Sequence, residues 1–233
     1  MNSKKSLTTL ARGMLVMIGL LALIVGFAAQ SPSASAHWSN KAYVRVVHAA
    51  PGALNVDVYV DGTKLLNDFK FGTVTGYVAV SAGSHRIQVA ADGAPRKDAV
   101  IDVTVSLKGG KYYTAAALGT KDSGFSLAAF VDDNSDINTK ARVRVYHLSP
   151  NAGPVDVSVG GTKVISELTY THASGYLTVD PGTYVFDVTA VNAGVTIPLK
   201  VDLKADRVYS VFAIGLYKGQ PPLQFVAAAV DVD

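Results

Sequence analysis

The text of this chain is written twice, and that repetition limits its fold more than any other feature. Val44-Arg45-Val46 returns as Val143-Arg144-Val145, and His48 returns as His147. Pro51 returns as Pro150, Val56-Asp57-Val58 as Val155-Asp156-Val157, and Gly76-Tyr77 as Gly175-Tyr176, all at an offset of 99 residues. The offset shortens to 96 at Tyr113 and Tyr209 and reads 99 again at Val131-Asp132 and Val230-Asp231. So many matches at one spacing identify an internal duplication, so one structural solution must serve both halves.

Each copy reads as short strands divided by turn residues. Val44, Val46 and His48 alternate with Tyr43, Arg45 and Val47, and Val56, Val58 and Val60 alternate with Asn55, Asp57 and Tyr59. A period of two rich in Val, Tyr and Thr marks half-buried strands. Asp61-Gly62 and Gly160-Gly161 suit two-residue hairpin turns with positive φ. Further strands are expected near 74–80, 84–91, 99–107, 111–118 and 125–131, with equivalents in the second copy, and no helical period appears after residue 36. Seven or eight strands at this spacing predict two tandem immunoglobulin-like, antiparallel β-sandwich domains, an all-β chain. The expected division is module 1 at 37–132, a solvated linker at 133–139 and module 2 at 140–233.

Residues 1–36 have a different character. Lys4, Lys5 and Arg12 precede an uncharged apolar run at 14–29, and a small-residue stretch ends in Ala34-Ser35-Ala36. This is the layout of a secretory signal peptide cleaved after Ala36. The apolar run is shorter than the ~20 residues a spanning helix needs, so no stable membrane span is expected after cleavage. Three of the 21 basic residues lie in this leader, which leaves 18 basic against 18 acidic residues. A neutral mature chain makes nucleic acid an unsuitable partner. The chain has no cysteine, which excludes disulfides, thiol catalysis and thiolate metal sites together.

The stretches VRVVHAAPGALNVDVYVDG and VRVYHLSPNAGPVDVSVGG, followed by GYVAVSAGSHRIQV and GYLTVDPGTYVFDV, resemble the family known as domain of unknown function 4397. The resemblance covers both modules. It implies an exported bacterial β-sandwich module often found in tandem, and it brings no activity or catalytic residue.

Several residues could carry chemistry. His48 and His147 lie in phase with the apolar face of their strand and precede loops holding Pro51 and Pro150. They are expected to be packing residues whose ring nitrogens satisfy loop backbone groups rather than metal ligands. If the first two strands of each module paired, Arg45 would face Asp57 and Arg144 would face Asp156. Tyr113 and Tyr209 stand where a tyrosine corner bonds upstream backbone. Asp132, Asn134, Asp136 and Asn138 alternate like the start of a calcium loop, but Ile137 and Val143 occupy the positions of its glycine and closing glutamate. Cleavage after Ala36 would free His37 as an N-terminal copper ligand, with His48, His85, His147 or His172 as candidate second ligands. The eleven tyrosines and Trp38 could stack on sugar if coplanar.

No serine-hydrolase elbow, zinc-protease helix, P-loop or dinucleotide fingerprint is present, and Glu167 is the one glutamate. The expectation is therefore a non-enzymatic secreted or envelope protein of structural or adhesion type. It would have no cofactor, no catalytic residue and no metal site, with cell-wall polysaccharide or other envelope proteins as partners. The alternative is an extracellular protein that binds carbohydrate, or metal through the loop aspartates or His37. The sequence does not identify ligand-binding residues.

Overall fold

The computed structural model describes residues 40–232, so the leader, His37 and Trp38 lie outside the described residues. Module 1 supplies β1 (Lys41–His48), β2 (Val56–Val60), β3 (Thr63–Phe69), β4 (Val78–Ser81), β5 (Gly83–Ala91), β6 (Ile101–Leu107), β7 (Tyr112–Thr120) and β8 (Gly124–Asp132). Module 2 repeats them as β9 (Ala141–His147), β10 (Val155–Val159), β11 (Thr162–Leu168), β12 (His172–Ala173), β13 (Leu177–Val179), β14 (Gly182–Ala190), β15 (Val195–Leu203), β16 (Arg207–Ile214) and β17 (Gln224–Asp231). Among the described residues the helical segments are single turns at Arg96–Asp98 and Val191–Ala193.

Four sheets result. Module 1 has sheets ordered β4-β1-β7-β8 and β3-β2-β5-β6, and module 2 has β12-β9-β16-β17, with β13 also on β9, and β11-β10-β14-β15. Pairings are antiparallel except that β1 runs parallel to β7 and β9 parallel to β16. The hairpin turns form as their residues require: Asp61 and Gly62 take φ of 50° and 84°, and Gly160 and Gly161 take 55° and 79°. Gly119 and its counterpart Gly215 also have positive φ. A Cβ on either would run into a carbonyl oxygen of the returning chain, that of Gly124 or Pro222.

The expected pairing of the first two strands does not occur, because β1 and β2 enter different sheets of the sandwich. Val46 accordingly packs inward on Val56, Val58, Phe69 and Ala117. The other face of β1 was expected to be solvated and is not. Arg45 is 2% exposed and Val47 is fully buried, because the β4-β1-β7-β8 sheet packs its second face on the β12-β9-β16-β17 sheet of module 2. Val47, Ala116 and Leu118 meet Tyr146, Leu148, Phe212 and Ile214 in one cluster. The protein is therefore a stack of four sheets whose two middle sheets are buried on both faces, and both modules belong to one compact unit.

The joint uses the same positions of each copy, as in an isologous dimer. Strand pairing makes Val47 equivalent to Tyr146, Ala116 to Phe212 and Phe130 to Ala228. Large side chains of one copy thus meet small ones of the other. The presumed linker is only partly solvated: Ile137 is buried with Val208 and Val232.

Candidate functional site

His48 and His147 behave alike. The Nε2 of His48 lies 3.2 Å from the Leu54 carbonyl and that of His147 lies 2.7 Å from the Gly153 carbonyl, so each ring ties a strand end to the loop after it. Both rings are buried, and burial lowers both pKa values below the ordinary histidine value. Phe69 and Phe71 flank the His48 ring. The tyrosine corners also form: the Tyr113 hydroxyl accepts from the Lys108 backbone N–H and the Tyr209 hydroxyl from the Lys204 N–H, each at 2.9 Å.

The repeated arginines and aspartates part company. Asp57 and Asp156 pair with Lys64 and Lys163, each at 2.5 Å, across the β2–β3 and β10–β11 hairpins. Arg45 and Arg144 instead converge on Asp132, at 3.6 and 3.3 Å. The Asp132 carboxylate also accepts from Tyr77 at 2.7 Å, from Thr114 and from Tyr146. Arg45 donates to Thr114 at 2.7 Å and, across the joint, to Ser210 at 2.6 Å. Its guanidinium lies over the rings of Tyr77 and Phe212. Burial pushes the Tyr77 and Tyr146 hydroxyl pKa values up, so both remain donors.

One carboxylate serves two arginines because the repeat is offset here. Tyr113 pairs with Val131 and Tyr209 with Ala229, so the position equivalent to Asp132 is Val230 and the sequence match to Asp231 is one residue out of register. Asp231 sits on the surface with Arg207. Asp132, which sequence spacing grouped with the linker aspartates, is turned inward to the joint and withdrawn from any loop cation. Asp136 accepts from the Asn138 backbone N–H. Among the described residues no group of three His, Cys, Asp or Glu could hold a metal ion.

The family described as "Domain of unknown function (DUF4397)" matches residues 42–158 and, a second time, residues 141–231. The chain belongs to the DUF4397 family. No curated protein matches this DUF4397 chain. Among solved structures, a crystal structure from Bacteroides uniformis described as a "putative cell adhesion protein" is similar at 12% identity. The match covers 83% of this chain and 99% of that one, with a TM-score of 0.28.

Sequence reasoning on this DUF4397 protein missed one cluster. The His85 Nδ1 lies 2.7 Å from Asp61 Oδ2, while its Nε2 lies 2.9 Å from the Ser81 carbonyl and 3.5 Å from the Ser81 hydroxyl. The order Asp-His-Ser suggests a nucleophile and its base, yet the hydrogen bonds argue otherwise. A general base needs a free Nε2 lone pair aimed at the hydroxyl, whereas both nitrogens of His85 face stronger acceptors. Its hydrogen bond to Asp61 raises the ring pKa, which favours the doubly donating imidazolium. His85 thus clamps the β2–β3 turn to the β4–β5 turn. Tyr43 and Tyr112 stack on each other with centroids 4.7 Å apart, which commits one face of each ring to its neighbour and not to a sugar.

Proposed function

We propose that this chain is a non-enzymatic, exported structural or adhesion-type protein whose two modules act as one rigid body at the cell envelope. The observation that supports it best is the joint. Two sandwiches connected by a free linker would reorient, whereas here a buried apolar layer and a two-arginine, one-aspartate network fix one module on the other. A rigid element that holds a partner-binding surface at a set distance is served by that construction. The signal-peptide layout of residues 1–36 supports placement outside the cell. Cell-wall polysaccharide and envelope proteins are the partner classes this placement offers.

The test has two arms. N-terminal sequencing of protein from culture supernatant should begin at His37, and the purified protein should sediment with insoluble cell wall or with isolated envelope proteins. Protein retained in the membrane from Met1 onward would overturn the export reading. Turnover of a chromogenic ester that is lost in Ser81→Ala would overturn the non-enzymatic one.

A further inference from the structure

The two modules share one architecture but not one interior. Between the sheets of module 1 lies an apolar cavity of about 150 Å³, lined by every strand of that sandwich. In module 2 a void beside His147, toward one end of the sandwich, is about 10 Å³. Strand pairing explains the difference position by position. Ile87 of module 1 is Phe186 in module 2, Leu127 is Phe225, Ala115 is Val211 and His85 is Tyr184. Phe69 and Leu168 differ in the opposite sense, which returns only part of that volume. Bulkier side chains stand at most of these positions in module 2, so the hollow depends on the side chains that module 1 carries there.

The lining sets the ligand chemistry. Its polar side chains are Thr75, His85 and Tyr113, and each is engaged elsewhere: Thr75 with the Val46 N–H and Gly76 carbonyl, His85 with Asp61 and Ser81, Tyr113 with the Lys108 N–H. Nothing in the lining is left to bond a polar ligand. An apolar cavity of this size stays dry and accepts a nonpolar molecule. It runs along β7 from Tyr113 through Ala115 to Ala117, a span of roughly 13 Å at the rise of a strand. That extent leaves room for an aliphatic chain lying along the strands. It also has a way in. Strands β3 and β4 are neighbouring edges of the two sheets, and Leu65 and Val78 on them line the cavity while 45% and 48% exposed. The opposite edges, β6 and β8, approach each other and close that side.

We propose that module 1 holds a medium-length aliphatic chain between its sheets, entering between β3 and β4. This does not depend on the envelope reading, since a rigid two-module body is compatible with either an occupied or an empty core. The probe is 1-decanol, added to the purified protein and followed by calorimetric titration and by melting temperature. Decanol should bind with a stoichiometry of one and raise the melting temperature. The double variant Ile87→Phe, Leu127→Phe, which installs the side chains module 2 already carries, should melt higher than wild type without ligand and bind decanol at least about tenfold more weakly. If that variant fails to fold, the single variant Ala115→Val serves, with the same signs. Absence of decanol binding to wild type, or equal binding to a folded filled variant, overturns the proposal.

Discussion

Replacing Asp132 with Ala tests the joint at its electrostatic centre. The Asp132 side chain is 1% exposed and that of Arg45 is 2% exposed, and they lie 3.6 Å apart. Removing one member of a buried pair costs about 3–5 kcal/mol, because the remaining charge stays desolvated without its counterion. Arg45 keeps hydrogen bonds to Thr114 and Ser210, which favours the lower end, but Tyr77 and Tyr146 also lose their acceptor. We expect a loss of about 3 kcal/mol, measured by urea denaturation of the purified protein with far-ultraviolet circular dichroism. Asp102→Ala, which breaks the exposed pair with Arg86, serves as control and should move the midpoint far less. A loss at Asp132 below about 1 kcal/mol, the range of surface pairs, would refute the claim that the network is buried between modules.

Other outcomes follow from local geometry. His48 and His147 are buried with lowered pKa values, so their contribution is complete above the ordinary value near 6.5 and is lost as pH falls from there. His85 has a raised pKa, so its contribution is complete below that value and fades as pH rises through its folded pKa. Urea midpoints between pH 5 and 8, wild type against His48→Gln, should show a shallower acid limb in the variant. His48→Ala strands the Leu54 carbonyl and should cost about 1–3 kcal/mol at pH 7. Gly119→Ala should cost at least about 2 kcal/mol, because positive φ and the Gly124 carbonyl both oppose a Cβ; an unchanged melting temperature would contradict the tight strand return.

Much of this was legible in the sequence. The repeat is read directly from matching text, and the Asp61-Gly62 hairpin, the tyrosine corners and the loop-tying histidines each rest on residues close together in the chain. Arg45 was misassigned because its partner is distant in sequence and lies at the start of what reads as a linker. Its alternation also suggested an exposed face. A counter-signal was present: residues 115–118 and 211–214 are continuous apolar runs, the mark of strands buried on both faces, not one. The module 1 cavity needed more. Ile87 against Phe186 is visible once the repeats are aligned. Only sheet topology shows that Ala115 and Leu127 line the same space, so that the size differences accumulate there.

The central claim is that the modules form one cooperative body. Separately expressed, residues 40–132 and 140–233 would each expose half of the joint, including Tyr146 and Phe212 in the second half. Each sandwich alone carries a full strand set, so the joint decides the outcome. Differential scanning calorimetry of the intact protein measures this most directly. One transition whose calorimetric and van't Hoff enthalpies agree is the result predicted. Two resolved transitions, each matching the melt of one isolated half, would contradict it.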